Sequence, residues 1–102
     1  MPAGKPYHFH PEAWAEFETA ENWYRQRNPD AGINFLADVY DALEDISRWP
    51  HAWPNYLHGT RKFVLQRFPY LIIYREKESS VQILAIAHGH RRPGYWKERL
   101  FQ

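Results

Sequence analysis

The chain has 102 residues, of which 44% are hydrophobic, 25% charged and 18% aromatic, and its formal net charge is +1. These values predict a single domain over 1–102 with one modest core, in which aromatic side chains supply much of the burial. The absence of cysteine excludes disulfides and thiolate metal sites. No apolar run approaches the roughly 18 residues of a membrane span, and the N-terminus lacks a signal-peptide core. We therefore expect a soluble cytoplasmic protein.

The small net charge hides an asymmetry between the two halves of the chain. Residues 1–60 carry four Lys and Arg against nine Asp and Glu, a net charge of −5, whereas residues 61–102 carry nine against three, a net charge of +6. The second half therefore predicts an anionic partner, either nucleic acid or an acidic protein segment. The alternative is that the two halves neutralise each other across a shared core.

The first half predicts a strand and two helices. Residues 5–10 alternate as in a short strand, and Pro11 suits the first position of a helix that Arg25 and Arg27 close. Asn28 is placed to cap a second helix. With almost no linker, the two amphipathic helices must form an antiparallel hairpin. The residues predicted to face the core are Trp14, Phe17, Ala20, Tyr24, Ile33, Leu36, Val39 or Tyr40, Leu43 and Ile46.

The second half predicts a loop and three strands. Residues 49–60 contain two prolines and a glycine and form the loop. The predicted strands are 61–68, 70–77 and 81–88. The connections at Pro69 and 78–80 are so short that neighbouring strands must be antiparallel, and apolar residues on both sides of the last strand indicate an inner strand. The fold class is therefore α+β: an N-terminal strand, an antiparallel helical hairpin and a three-stranded antiparallel meander.

The segment after Gly89 places basic and aromatic side chains at one edge of this sheet. The residues predicted to contact a target or a partner are Arg67, Arg75, His90, Arg91, Arg92, Tyr95, Trp96 and Arg99. The alternatives are a solvated basic tail and a Trp96 that packs on the sheet. The pairs His8/His10 and His88/His90 have a spacing that could hold a metal, but no carboxylate or thiolate is near. We expect neither a metal nor a cofactor.

An ordered series within the second half resembles the ParE/RelE toxin superfamily. The series consists of Phe68-Pro69-Tyr70, Tyr74, the apolar run that ends at His88, Arg91, Pro93, Trp96 and Arg99. This superfamily also has the strand–helix–helix–three-strand order and this length. Its members are the toxins of bacterial type II toxin–antitoxin modules, also called plasmid stabilisation proteins. The series is more similar to the ParE branch than to the RelE branch.

The resemblance implies a toxin that causes growth arrest. ParE-branch members poison DNA gyrase, whereas RelE-branch members cut messenger RNA on the ribosome. Both are neutralised by an antitoxin, here ParD-like or similar, whose other half binds operator DNA, so that the toxin reaches that DNA only indirectly. We expect a gyrase inhibitor without chemistry of its own and without a membrane partner.

A ribosome-dependent messenger endonuclease is the alternative that the resemblance leaves open. Metal-free RNA cleavage needs a base, an acid and cations that stabilise the phosphorane. Arg91 and Tyr95 are similar in position to an arginine and a tyrosine of RelE nucleases, and His88 is the third catalytic candidate. Leu71 stands where those nucleases have a further arginine, which weakens this hypothesis, although His88, His90, Arg67 and Arg75 could form another set. A toxin-fold regulator with neither activity is the third hypothesis.

Overall fold

The structure, a computed structural model, describes residues 4–102. Its elements are β1 (Tyr7–Phe9), α1 (Pro11–Arg27), α2 (Pro29–Arg48), β2 (Arg61–Val64), β3 (Tyr70–Glu76) and β4 (Val81–His88), with short 3-10 helices at Leu57–Gly59 and Lys97–Phe101. The sheet has the order β1-β4-β3-β2. β1 is parallel to β4, and the other neighbours are antiparallel. The predicted α+β arrangement is confirmed.

Side-chain caps define where both helices begin. His10 caps α1, because its Nδ1 accepts the N–H of Glu12 at 3.1 Å. Asn28 serves both helices: its backbone N–H donates to the carbonyl of Tyr24 at 2.9 Å, and its side-chain oxygen accepts the N–H of Asp30 at 2.9 Å. One residue thus ends α1 and begins α2, which produces the predicted helical hairpin.

Hydrophobic side chains are buried on both faces of the sheet. The hairpin covers one face, and the segment after β4 covers part of the other face, where Ile73 and Leu84 pack against Trp96. The buried residues on the helix face are Ala13, Phe17, Ala20, Phe35, Val39, Ala42, Leu43, Ile46, Leu65, Ile72, Tyr74, Val81, Ile83 and Ile86. Burial on both faces of β4 agrees with its apolar sequence.

A β-bulge in β4 changes which side chains face the helices. Ile73 pairs with Ala85, but the next residue, Tyr74, pairs with Ile83, so Leu84 is one extra residue in β4. Leu84 and Ala85 consequently both lie on the face away from the helices. Strict alternation along the strand would place Ala85 on the same side as Ile83, and the extra residue prevents this.

β4 has a strand on both sides over its first half alone. β1 pairs with residues 81–83, whereas β3 pairs along the whole of 81–88. The prediction of an inner strand is therefore confirmed for 81–83. Beyond Ile83, the part of the chain that the structure describes places no strand on the β1 side of β4.

Two predicted strands are shorter than their sequence patterns. The strand predicted over 61–68 ends at Val64, because the following residues form the hairpin loop, in which the N–H of Leu65 donates to the carbonyl of Tyr70 at 3.0 Å. The strand predicted over 5–10 is reduced to Tyr7–Phe9, because His10 already caps α1. None of the helices described between residues 4 and 102 is long and apolar enough to cross a membrane.

Three positions predicted to lie in the helical core are exposed. Trp14 retains 41% of its accessible surface, Ile33 63% and Leu36 41%. On α2, Phe35 and Val39 are fully buried. The buried stripe of α2 consists of Gly32, Phe35, Val39, Ala42, Leu43 and Ile46. In the first half of the helix it is therefore displaced by one residue from the predicted Ile33 and Leu36.

Candidate functional site

Backbone hydrogen bonds order the basic segment that follows β4. The N–H of Gly89 donates to the carbonyl of Pro69 at 2.7 Å, and the N–H of Arg91 donates to the carbonyl of His88 at 3.0 Å. Gly94 then turns the chain back over the sheet with a φ of 82°, a left-handed conformation that glycine adopts without strain. The segment after β4 is therefore an ordered surface and not a solvated basic tail.

One carboxylate on α1 joins this segment to the sheet. Glu16 accepts two hydrogen bonds of 2.9 Å from Arg99, one of 2.7 Å from the Tyr95 hydroxyl and one of 3.0 Å from the backbone N–H of Ile86. Arg99 also donates to the carbonyl of Leu84 at 2.9 Å. Because β1 has already ended, Glu16 and Arg99 satisfy backbone groups of β4 that would otherwise need a strand partner.

This network raises two pKa values. Burial raises the pKa of the Tyr95 hydroxyl far above its ordinary value, and the hydrogen bond to Glu16 raises it further. Burial by itself would lower the pKa of Arg99, but the hydrogen bond and the negative charge of Glu16 raise it. At neutral pH Tyr95 therefore stays protonated and donates its hydrogen to Glu16.

Arg91 lies on the outer side of the network. Its Cζ atom is 3.8 Å from the centroid of the Tyr95 ring, a cation–π contact that fixes the plane of the guanidinium while its N–H edge can still donate to a partner. His90, Arg91 and Arg92 are all exposed. Arg91 and Arg92, with His90 beside them, form an accessible basic surface of the segment.

His88 stands where β4 ends and the basic segment begins. Its ring centroid lies 5.1 Å from that of Tyr70 and 5.0 Å from that of His90. Its Nδ1 accepts the backbone N–H of His90 at 3.0 Å, so a neutral ring carries its hydrogen on Nε2. In the described residues no group of three or more His, Asp or Glu is arranged to hold a metal ion.

Two arginines predicted to contact a partner are engaged within the fold. Arg67 donates to both carboxylate oxygens of Asp38 on α2, at 3.0 and 2.7 Å. Arg75 donates to the Gln82 side chain at 2.7 Å and to the carbonyl of Leu100 at 3.2 Å. Neither arginine lies on the surface formed by residues 90–92.

Trp96 and Arg99, two of the residues predicted to contact a target or a partner, lie inside the fold. Trp96 is 1% exposed and Arg99 is 7% exposed. The alternative role of Trp96, packing on the sheet, is the one observed, because its indole fills the core on the face away from the helices. Contact of either side chain with a partner stays a prediction that their burial does not favour.

Two adjoining cavities lie between α1 and the end of β4. Their volumes are about 370 Å³ and about 310 Å³, and they share the lining residues Thr19, Ala20, Tyr70 and His88. The first extends towards Glu16, and the second is closed by aromatic rings of α1. We call this space the α1–β4 trough.

Comparison with known proteins identifies the family. Residues 7–93 match the family described as "ParE toxin of type II toxin-antitoxin system, parDE". The chain belongs to the ParE toxin family. A Sinorhizobium fredii relative described as "Putative toxin Y4kP" is 32% identical over 66 residues, which are 64% of this chain and 68% of the relative. The predicted resemblance to the ParE branch is therefore confirmed.

A solved structure supports the fold of this ParE family member. The structure titled "Chromosomal ParDE TA system from P. aeruginosa" superposes with a TM-score of 0.72, covering 82% of this chain and 95% of that chain at 18% identity. At this level of identity the likeness shows the fold alone.

The catalytic candidates of the nuclease hypothesis meet on the other face of this ParE family member. A cavity of about 50 Å³ is lined by Leu71, His88, Arg91 and Tyr95 among other residues. Leu71 contributes an apolar side chain to this cavity, whereas stabilisation of a phosphorane needs a cation. The hydroxyl of Tyr95 points to Glu16 instead of into a substrate site.

Sequence reasoning missed two residues that organise the site. The sequence analysis did not single out Glu16, and it named His10 only in a pair of histidines whose spacing could hold a metal. His10 caps α1 with Nδ1, while its Nε2 lies 2.7 Å from the side-chain oxygen of Gln102. The signal for Glu16 is its place directly before the buried Phe17, at the border of the apolar face.

Proposed function

We propose that this protein is a ParE-type toxin that arrests bacterial growth by binding DNA gyrase and that a cognate antitoxin neutralises it. Membership of the toxin family supports the first part of this proposal. The observation that carries the binding mechanism is the ordered, exposed surface of His90, Arg91 and Arg92 beside the buried Glu16–Arg99 pair. Gyrase is the target that similarity to the ParE branch implies.

The geometry of Arg91 favours binding of an anionic surface. Stacking on Tyr95 reduces the rotamer freedom of the arginine before any partner arrives, so less entropy is lost on binding. The adjacent Arg92 adds a second guanidinium to the same turn. Two guanidinium groups on a rigid turn match carboxylates or phosphates presented by a macromolecule.

The second candidate function is a ribosome-dependent messenger endonuclease. Its support is that His88, Arg91 and Tyr95 line one small cavity. Two observations count against it. The raised pKa of Tyr95 and its hydrogen bond to Glu16 make this hydroxyl a poor general acid or base at neutral pH. Leu71 supplies no charge. We therefore rank gyrase binding above RNA cleavage.

The antitoxin in this proposal carries an acidic or amphipathic segment. The exposed cations Arg91, Arg92 and Lys97 complement such a segment. A structural neighbour is titled as a ParDE system, which supports a ParD-like partner. Contact with operator DNA would then pass through the antitoxin, within the cytoplasm.

The deciding experiment assays gyrase supercoiling and translation-dependent messenger cleavage in parallel. We expect the purified protein to inhibit supercoiling and to leave messenger intact. Replacing Arg91 and Arg92 together by alanine should weaken inhibition by about tenfold or more, while Lys97→Ala, an exposed cation on the following turn, should behave as the unchanged protein. Circular dichroism confirms that the variants are folded.

Two results would overturn this assignment. Messenger cleavage without an effect on gyrase would establish the nuclease, and loss of that cleavage in Arg91→Ala and Tyr95→Phe would place it in the cavity of about 50 Å³. Neither activity, together with unimpaired growth on induced expression, would identify an inactive regulator.

A further inference from the structure

β1 is the outermost strand of the sheet, and its outer edge is open. The sheet order gives β1 one neighbour, β4, and the carbonyl of Pro6 and the N–H of His10 are hydrogen-bonded to β4 at 2.9 and 2.8 Å. Because successive residues of a strand direct their backbone groups to opposite sides, the N–H and C=O groups of Tyr7 and Phe9 face outwards. Between residues 4 and 102 no backbone group pairs with them.

Exposed aromatic side chains lie beside this edge on the face of the sheet that the helices cover. Trp14 of α1 is 41% exposed, and its ring centroid lies 5.2 Å from that of Phe9. Tyr40 of α2 is 42% exposed, and its ring contacts Phe17, which stacks on Phe9. Such rings stabilise a protein most when they are removed from water, so this edge presents apolar surface that a second molecule can bury.

The other face of the sheet has an exposed phenylalanine near the same edge. The side chains on either side of His8 pack against the helices, so the His8 side chain lies on the opposite face, where it is exposed. His8 is opposite Gln82 in β4, and Arg75 joins the Gln82 side chain to the carbonyl of Leu100. Phe101, the next residue, is 78% exposed. Apolar surface therefore flanks the edge of β1 on both faces of the sheet.

We propose that β1 pairs with β1 of a second copy of this chain, antiparallel and around a twofold axis at His8, so that the two sheets become one. Tyr7 of each copy then exchanges both of its outward backbone hydrogen bonds with Phe9 of the other. The strand has outward groups at its first and last residues and His8 midway between them, so its pattern is complementary to itself, as a twofold interface requires. This inference goes beyond the proposed function and does not depend on it.

The charges at the two ends of β1 favour the antiparallel arrangement. Lys5 precedes the strand and its side chain is 31% exposed, whereas Glu12 follows the strand and its side chain is 58% exposed. A twofold axis at His8 brings the Lys5 end of each copy beside the Glu12 end of the other. Opposite charges therefore meet at both ends of the interface, whereas a parallel pairing would align like charges.

The basic surface of residues 90–92 stays accessible in this dimer. β1 pairs with 81–83, at the start of β4, whereas the basic surface follows His88 at the end of that strand. At about 3.3 Å per residue, the end of β4 lies roughly 17 Å beyond Ile83. The dimer therefore presents two copies of the basic surface, on opposite sides of the twofold axis, and self-association and target binding can occur together.

Sedimentation equilibrium of the purified protein tests self-association directly. We expect the apparent mass to rise with protein concentration from that of the monomer, 12.3 kDa, to twice this value. A monomer mass at every concentration up to about 1 mM, which corresponds to a Kd weaker than that concentration, would overturn the dimer.

Substitutions of His8 test the position of the twofold axis, because the two His8 Cα atoms lie about 4.5 Å apart in the proposed pairing. His8→Glu and His8→Lys each place like charges at the axis and should raise the Kd of self-association about tenfold or more. The neutral control, His8→Gln, should leave the Kd unchanged. An equimolar mixture of the His8→Glu and His8→Lys proteins should dimerise again, because opposite charges then meet.

Circular dichroism confirms that the three His8 variants are folded. Equal Kd values for His8→Glu and His8→Gln, or no recovery of the dimer on mixing, would overturn pairing around His8. The purified product of the reading frame adjacent to the toxin's own is the probe for a different occupant of this edge. If His8→Glu weakened binding of that product and left self-association unchanged, the edge would belong to the antitoxin and the dimer proposal would be wrong.

Amide hydrogen exchange tests the strand pairing in the unchanged protein. The amides of Tyr7 and Phe9 face outwards, and their exchange should slow at least about tenfold between dilute and concentrated samples. The amide of His8 is directed to β4 and is the internal reference, whose exchange should be similar in both samples. Exchange at Tyr7 and Phe9 that does not depend on concentration would overturn strand pairing, whatever the behaviour of the substituted proteins.

Discussion

The guanidinium of Arg99 and the carboxylate of Glu16 are joined by two hydrogen bonds of 2.9 Å across a separation of 83 positions in the sequence. The side chain of Arg99 is 9% exposed and that of Glu16 is 18% exposed. Both also bond to the backbone of β4. The end of the chain, the first helix and the longest strand are thereby held together by one ion pair.

Removal of either partner of this pair should destabilise the fold. We expect Glu16→Gln or Arg99→Met to lower the free energy of unfolding by about 3 kcal/mol, because the remaining charged group loses the counter-charge to which it is doubly hydrogen-bonded. The double variant should lose less than the sum of the two single changes. Urea unfolding followed by circular dichroism measures all three values. Additive losses would contradict direct coupling, and Arg67→Met, which removes an exposed ion pair, is the control with little effect.

Trp96 should be a main contributor to the core on the face away from the helices. It is 1% exposed, and we expect Trp96→Ala to lower the free energy of unfolding by about 4 kcal/mol through lost burial and the cavity that remains. Phe101→Ala removes an aromatic ring that is 78% exposed and should change stability by less than about 0.5 kcal/mol. Thermal unfolding of both variants measures these changes in stability. Similar losses of stability in the two variants would show that the core around Trp96 is not formed in solution.

Gly32, in the first turns of α2, lies directly against the backbone of α1. A Cβ atom at this position would lie 2.7 Å from the Cβ and 2.9 Å from the Cα of Arg25. Alanine favours a helix interior over glycine by about 1 kcal/mol, yet we expect Gly32→Ala to destabilise the protein by roughly 1–3 kcal/mol because the backbone of α1 must move. In Gly89→Ala the nearest atom would be the carbonyl oxygen of Pro69 at 3.5 Å, an ordinary contact. If the Gly32→Ala protein were more stable than the unchanged protein, the two helices of the hairpin would be shown to move apart without a net cost in stability.

Alkaline pH should destabilise the protein through its buried tyrosines. Burial raises the pKa of Tyr74 from 10.0 to about 12, and burial with the Glu16 hydrogen bond raises that of Tyr95 further. The unfolded chain releases these protons first, so the stabilisation is complete below about pH 10 and is lost as the pH rises through the folded-state values. Tyr95→Phe should reduce the slope of stability against pH above pH 10. Chemical unfolding at successive pH values measures this slope, and a profile parallel to that of the unchanged protein would contradict the assignment.

Local sequence signals were sufficient for the helical hairpin and for the order of the elements. Asn28 followed by proline predicted the boundary of the helices, and the structure places the caps of both helices on that residue. The apolar run of β4 predicted burial on both faces, which is observed. Caps, helix periodicity and strand length depend on neighbours a few residues apart, so a single sequence contains them.

The ParE-like series and the basic segment after β4 could be recognised from the sequence by itself. The tertiary structure alone decided which of their side chains are accessible. The bulge at Leu84 and the burial of Arg99 depend on partners far away in the chain, and no local pattern encodes such pairing. Because β1 is short, part of β4 has no strand neighbour on that side. Buried backbone groups must be hydrogen-bonded, and the side chains of Glu16 and Arg99 supply these bonds to β4. Arg91 and Arg92 consequently remain at the surface.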